Sequence, residues 1–122
     1  MEAGKAARRE QRKAFRHTLK VGDVLRSSWG YDQTNIDYYE VTALIGEHII
    51  KARPIATESV ETEWLQGKCV PVPNNFTGPA KRYRPTEGNA VKVRSFAWAH
   101  PVEYREIAGA RVYSTDHWTA YA

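Results

Sequence analysis

Two β-rich runs with only two residues between them constrain this chain more than any other feature. Residues 36–45 (IDYYEVTALI) and 48–55 (HIIKARPI) are dense in β-branched and aromatic side chains, and Gly46 and Glu47 alone separate them. Runs of this kind around a Gly-containing dipeptide predict an antiparallel hairpin, because Gly supplies the positive φ of a two-residue turn. That turn sets the register: Ile45 opposite His48, Ala43 opposite Ile50, Val41 opposite Ala52, and Tyr39 opposite Pro54. These residues share one mostly apolar face, the expected core side. On the other face Leu44 meets Ile49, Thr42 meets Lys51, Glu40 meets Arg53, and Tyr38 meets Ile55; the opposed charges support the register. Pro54 is expected to end the ladder or to sit at an edge.

Short strands are expected on either side of this hairpin. Residues 21–29 open on a Gly22-Asp23 turn and continue as a strand, and residues 30–35 read as a polar turn. Residues 56–66 (ATESVETEWLQ) suit a short helix or an excursion that touches the body through Val60, Trp64 and Leu65. Residues 67–73 (GKCVPVP) read as an edge strand, since Pro71 and Pro73 have no ladder donor. Residues 81–84 (KRYR) form a short basic strand. Residues 90–99 (AVKVRSFAWA) alternate as one strand, with Val91, Val93 and Ser95 on one side and Lys92, Arg94 and Phe96 on the other. A last hairpin, EYREIAGARVYS, turns at Ala108-Gly109, and Tyr113, Trp118 and Tyr121 are expected to pack the tail down.

Charge is concentrated at the front. Residues 1–20 carry seven bases and two acids, a net of +5, whereas residues 21–122 carry 11 bases and 12 acids. Ala3, Ala6, Ala7 and Ala14 among Arg, Lys, Gln and Glu predict a helix over residues 2–17, with an apolar stripe too thin to be stable without a surface to dock on. The expected fold is therefore mainly β (α+β): an N-terminal basic helical arm, residues 1–20, before one β-rich domain, residues 21–122. That domain is expected to be a small SH3-like barrel or a strongly bent antiparallel sheet, or else a sheet with the helix packed across it. The chain's 122 residues suit one domain. No apolar run approaches the ~20 residues of a membrane-crossing helix, and no apolar stretch follows the N-terminal charges as in a secretory signal. A single Cys excludes an internal disulfide and a Cys-based zinc cage, and suggests a reducing, cytoplasmic setting.

Binding has more candidates than catalysis. Arg8, Arg9, Arg12, Lys13 and Arg16 of the arm would neutralise phosphates or meet an acidic protein surface, or serve solubility alone. Lys51, Arg53, Lys92 and Arg94 are expected on the polar faces of their strands, and Lys81, Arg82 and Arg84 flank Tyr83. If those strands are neighbours, cations and a ring share one face, as on surfaces that hold single strands or RNA. Residues 28–39 (SWGYDQTNIDYY) gather Trp29, Tyr31, Asp32, Gln33, Asn35 and Tyr38, a set that stacks on and hydrogen-bonds a flat ligand or a partner's Arg, or that knits a turn. Cys69 with His48, His100 or His117 is a poor nucleophile pair, because nothing nearby stabilises a thiolate. Asp37 and Glu40 stand three positions apart and so face opposite sides of a strand. The four His lack paired i, i+4 spacing and no Gly-rich phosphate loop is present, so no metal, no cofactor and no enzymatic activity is expected.

The string SWGYDQTNIDYYEV, with Gly22-Asp23 before it and the RPI of residues 53–55 after it, resembles a group of small proteins encoded by bacteriophages, plasmids and other mobile elements. They share a GD-x-x-x-x-SWGYDQTN-x-x-[FY]-[FY]-x-V core, and the likeness covers about residues 21–99. The resemblance implies a mobile-element origin and action in the cytoplasm of a bacterial host; it carries over no catalytic or binding residue. The expected function is a non-enzymatic module that engages nucleic acid or a host nucleic-acid-processing protein. The alternative is a protein-directed inhibitor of host defence, of anti-restriction or anti-CRISPR type, with Trp29, Tyr31, Tyr38, Trp64 and Trp118 as candidate anchors. An accessory virion protein whose arm docks on a neighbouring subunit is a further possibility.

Overall fold

The computed structural model describes residues 15–30 and 33–120. Its strands are β1 (Val24–Trp29), β2 (Asn35–Ile45), β3 (Ile49–Glu63), β4 (Gln66–Phe76), β5 (Lys81–Tyr83), β6 (Val91–Arg94), β7 (Ala97–Pro101), β8 (Tyr104–Ile107), β9 (Ala110–Tyr113) and β10 (Asp116–Thr119). One helical turn, Glu87–Asn89, precedes β6. Seven strands of an antiparallel sheet run in the order β10-β4-β3-β2-β1-β7-β6, with β5 as an eighth attached to β3, while β8 and β9 form a separate ribbon. β2 occupies one edge of β3, so β4 and β5 share the other, β5 at residues 50–52 and β4 further along. The sheet curls until β5 lies beside β6. No ladder joins those two strands, so the described residues form a bent open sheet and not a closed SH3-like barrel.

The β2–β3 hairpin keeps the expected register over its far half: Tyr38 pairs with Ile55, Tyr39 with Pro54, Glu40 with Arg53 and Val41 with Ala52. Nearer the turn the expectation is off by one. Ala43 pairs with Lys51, Leu44 with Ile50 and Ile45 with Ile49, so the turn holds three residues and not two. A bulge at Thr42 absorbs the extra residue, and the Thr42 hydroxyl donates to the Lys51 carbonyl at 3.4 Å. Pro54 ends no ladder, because its missing N–H faces the gap between β5 and β4 on the shared edge.

Over its far half both faces of this hairpin are buried, which corrects the expected division there into a core face and a polar face. Tyr39, Val41, Ile50 and Ala52 pack with Leu25, Val91, Ala99 and Leu19 inside the curl, as foreseen. On the opposite face Tyr38 and Ile55 form a second core with Val24 and Cys69, against Ile36, Phe76, Val102, Tyr113 and Trp118. The polar-face assignment fails because the tail folds back: β10 pairs with β4, and the β8–β9 ribbon turns at Ala108 and Gly109, both at positive φ as a two-residue hairpin requires.

Three further expectations need correction. Residues 57–63 are neither helix nor a loose excursion: β3 runs on through them, paired to β4, with the turn at Trp64-Leu65. β4 is not an edge over Gln66–Cys69, where β10 covers it; Pro71 and Pro73 lie beyond that ladder, where no donor is required. Residues 90–99 are not one strand, since Ser95 and Phe96 turn the chain between β6 and β7. The helix expected over residues 2–17 lies, as far as Ala14, outside the described residues; Phe15, Arg16 and His17 are not helical. Leu19, 4% exposed, plugs the inner core. Phe15 and Thr18 fasten this segment to the sheet: the Phe15 carbonyl accepts from His48 Nδ1 at 2.7 Å, and Thr18 N donates to Asn89 Oδ1 at 3.0 Å.

Candidate nucleic-acid interface

The strand register distributes the basic side chains. Antiparallel partners point to the same side of a sheet, so Lys51 on β3 and Arg82 on β5 are neighbours on one face. Lys81, Arg82 and Arg84 are exposed along β5 and just after it, and Lys51 is half-buried. β6 comes beside β5 and presents Lys92, exposed, next to its register partner Trp98. All seven sheet bases thus come from β3, β5 with the residue after it, and β6, and five of them, Lys51, Lys81, Arg82, Arg84 and Lys92, are near the seam of the curl.

Arg53 and Arg94 do not join them, against expectation. Arg53 donates from Nε to the Gly78 carbonyl at 2.9 Å, and its guanidinium lies 4.2 Å over the Phe76 ring. Its register partner Glu40, 5% exposed, accepts instead from Asn74 N at 2.9 Å. This pins the excursion that β4 makes between Pro71 and Phe76. A bulge between Lys92 and Arg94 turns Arg94 toward β1 and β2. There it lies 4.9 Å over the Trp29 ring and 3.5 Å from Asp37 Oδ2. Of the arm, Arg8, Arg9, Arg12 and Lys13 lie outside the described residues; Arg16 is exposed and 3.3 Å from Glu47. The arm thus enters the body at the β2–β3 turn, beside residues 49–50, and Ile50 pairs with Tyr83 of β5.

The expected aromatic and polar cluster divides in two. Trp29 is fixed by an Nε1 hydrogen bond to Asp37 at 2.6 Å and meets Phe96 edge-on, with ring centroids 5.6 Å apart. Gln33 donates to Asn35 Oδ1 at 3.3 Å in the same region, while Tyr31 and Asp32 lie outside the described residues. Tyr38, on the opposite face, is 1% exposed and cannot meet a partner. Its hydroxyl donates to Asp116 Oδ2 at 2.5 Å, and Asp116 Oδ1 accepts from Arg26 at 2.8 Å. Burial, followed by the Asp116 hydrogen bond, pushes the Tyr38 phenol far above its ordinary range.

Cys69 is 3% exposed, lies 3.5 Å from the Tyr38 hydroxyl, and has its thiol pushed up by burial, the reverse of what a nucleophile needs. Asp37 and Glu40 do face opposite sides, one toward Trp29 and Arg94, the other toward Asn74. Phe96 and Trp98, 64% and 43% exposed, are rings not expected as site residues, because the Ser95-Phe96 turn has no Gly, Pro or Asn to mark it. Asp116 was equally invisible, since its partners are 78 and 90 positions away. No family model, no curated protein and no solved structure matches the chain.

Proposed function

We propose that this chain is a non-enzymatic nucleic-acid-binding module, consistent with the mobile-element group its SWGYDQTN core resembles. One observation supports the reading above the rest. Lys51, Lys81, Arg82, Arg84 and Lys92 gather about the β5–β6 seam, near the end of the sheet where the chain runs into its +5 N-terminal segment. The strip offers positive potential to a polyanion, and the net charge of the N-terminal segment adds attraction of the same sign. Binding is read by anisotropy of labelled oligonucleotides over a salt series. The logarithm of affinity is expected to fall linearly with the logarithm of salt, by about 0.7 per phosphate contact on a single strand. Joint charge reversal at Arg82 and Lys92 should flatten that slope by roughly one to two contacts. Affinity that stays level from low to high salt refutes the proposal.

A second reading, the protein-directed inhibitor, draws on a different observation. Trp64 is 78% exposed at the tip of the β3–β4 hairpin, whose outer strand carries Glu58, Glu61 and Glu63. An exposed Trp is a typical interface anchor. A stoichiometric protein partner that survives nuclease treatment of a bacterial lysate, and is lost with Trp64→Ala, would move the assignment to this reading.

A further inference from the structure

We infer that the ligand is a single strand and not a duplex, with Phe96 and Trp98 as the surfaces on which its bases stack; this rests on the nucleic-acid reading above. The arm and the Lys–Arg strip attract any polyanion, so they are indifferent to strandedness. The rings are not. A base inside a duplex has both faces covered by its neighbours, whereas an unpaired base offers its face to any flat side chain.

Phe96 stands at the tip of the β6–β7 turn and is 64% exposed, and Trp98 is 43% exposed two residues on. Large apolar rings are held out in water here while the small residues next to them, Ala97 and Ala99, are buried. Neither ring is loose. Phe96 rests edge-on against Trp29, which Asp37 and Arg94 fix from two other directions. Trp98 is carried by β7, which is paired on both sides, to β1 and to β6. A rigid ring loses little freedom when a base settles on it. The cation beside each ring has a separate task. Lys92, across the ladder from Trp98, is exposed and suited to a phosphate. Arg94 is held by Asp37 and braces Trp29.

Duplex recognition by the described residues has little to work with. A major groove admits a helix or a two-stranded ribbon. The one helical turn has three residues. The β3–β4 ribbon carries Glu58, Glu61 and Glu63 into any phosphate backbone, and in the β8–β9 ribbon Arg111 is paired with Asp23 at 3.2 Å and the exposed Arg105 stands next to Glu106.

The test uses the full chain with three labelled probes of about 20 nucleotides, oligo(dT), oligo(rU) and a mixed-sequence DNA duplex, at one salt concentration. Either single strand should bind at least about tenfold more tightly than the duplex, and the two single-strand probes tell DNA from RNA. Phe96→Ala and Trp98→Ala should each weaken single-strand binding by about tenfold, leaving the salt slope and the duplex affinity unchanged. Phe96→Tyr, which keeps a ring, should restore binding. Both residues are surface-exposed, and thermal melts verify that the variants fold. Equal affinity for duplex and single strand, or alanine variants that bind the single strands like the parent, overturns this inference and leaves the nucleic-acid reading in place. No binding to any probe overturns both.

Discussion

Replacing Tyr38 by Phe tests the network that joins the two ends of the chain. The ring is almost wholly buried, and Phe fills the same space, so no cavity opens. What goes is one hydroxyl that donates to Asp116 Oδ2 at 2.5 Å. Asp116 keeps Arg26 at 2.8 Å, but its side chain is only 11% exposed, so water replaces the lost donor poorly. A hydrogen bond to a charged group contributes about 1.5–3 kcal/mol, and with Arg26 still in place the expected loss is about 2 kcal/mol. In urea unfolding followed by Trp fluorescence, a slope of about 1–3 kcal/mol per molar makes that a fall of roughly 1 M in the midpoint, at unchanged slope. Asp116→Asn alone should cost a similar amount. The double variant should lose less than the sum, by about 1 kcal/mol or more, because both changes break the same bond. A Tyr38→Phe protein within about 0.5 kcal/mol of the parent would show that Asp116 does not reach Tyr38 in solution, and β10 would lose its side-chain tie to β2.

Three other outcomes follow from the same structure. Tyr38, Tyr83 and Cys69 all have their acids pushed up by burial, so the folded chain keeps protons that the unfolded chain sheds above ordinary values of 10.0 and 9.0. Stability should be fully present below about pH 9 and decline as the pH rises further, by at most about 1.4 kcal/mol per pH unit for each group; urea midpoints that hold level from pH 8 to pH 11 would count against it. Ala108 sits at φ +53 in the β8–β9 turn, a conformation that costs a residue with a Cβ about 1 kcal/mol, so Ala108→Asn should raise the melting temperature, and a lower one would sink the turn assignment. Gly67 has no room for a side chain, because a Cβ would stand 2.1 Å from the Val60 carbonyl and 2.8 Å from the Trp118 ring. Gly67→Ala should therefore destabilise by about 2 kcal/mol or more, and a neutral result would mean that Trp118 does not lie on β4.

How much of this was legible depended on how far apart the interacting residues are in the chain. The far half of the β2–β3 hairpin could be read because its pairs follow from local pattern alone. Its near half could not, because Gly46, at φ +63, serves a three-residue turn as well as a two-residue one, and nothing in Thr42 announces a bulge. The second core was hidden for a different reason. Tyr38 owes part of its cover to residues 102–118, and sequence pattern along β2 says nothing about segments so distant. The candidate site suffered likewise. KRYR could be read as a basic strand, but its place beside Lys51 comes only from the β3–β5 register, and Arg53 and Arg94 were drawn off by Gly78, Phe76, Trp29 and Asp37, partners that only the bulges and turns bring near.

β3 has one more consequence. Its first residues lie beside Lys81 and Arg82, and its last carry Glu58, Glu61 and Glu63, so opposite signs stand at the two ends of a single rod. Such a molecule has an electric moment along that rod, and near a polyanion it would rotate before touching. It would arrive cation-first, leaving Trp64 directed away from the occupied side. Whatever meets the complex second would then encounter the indole and its carboxylates, with the contact already made hidden behind them.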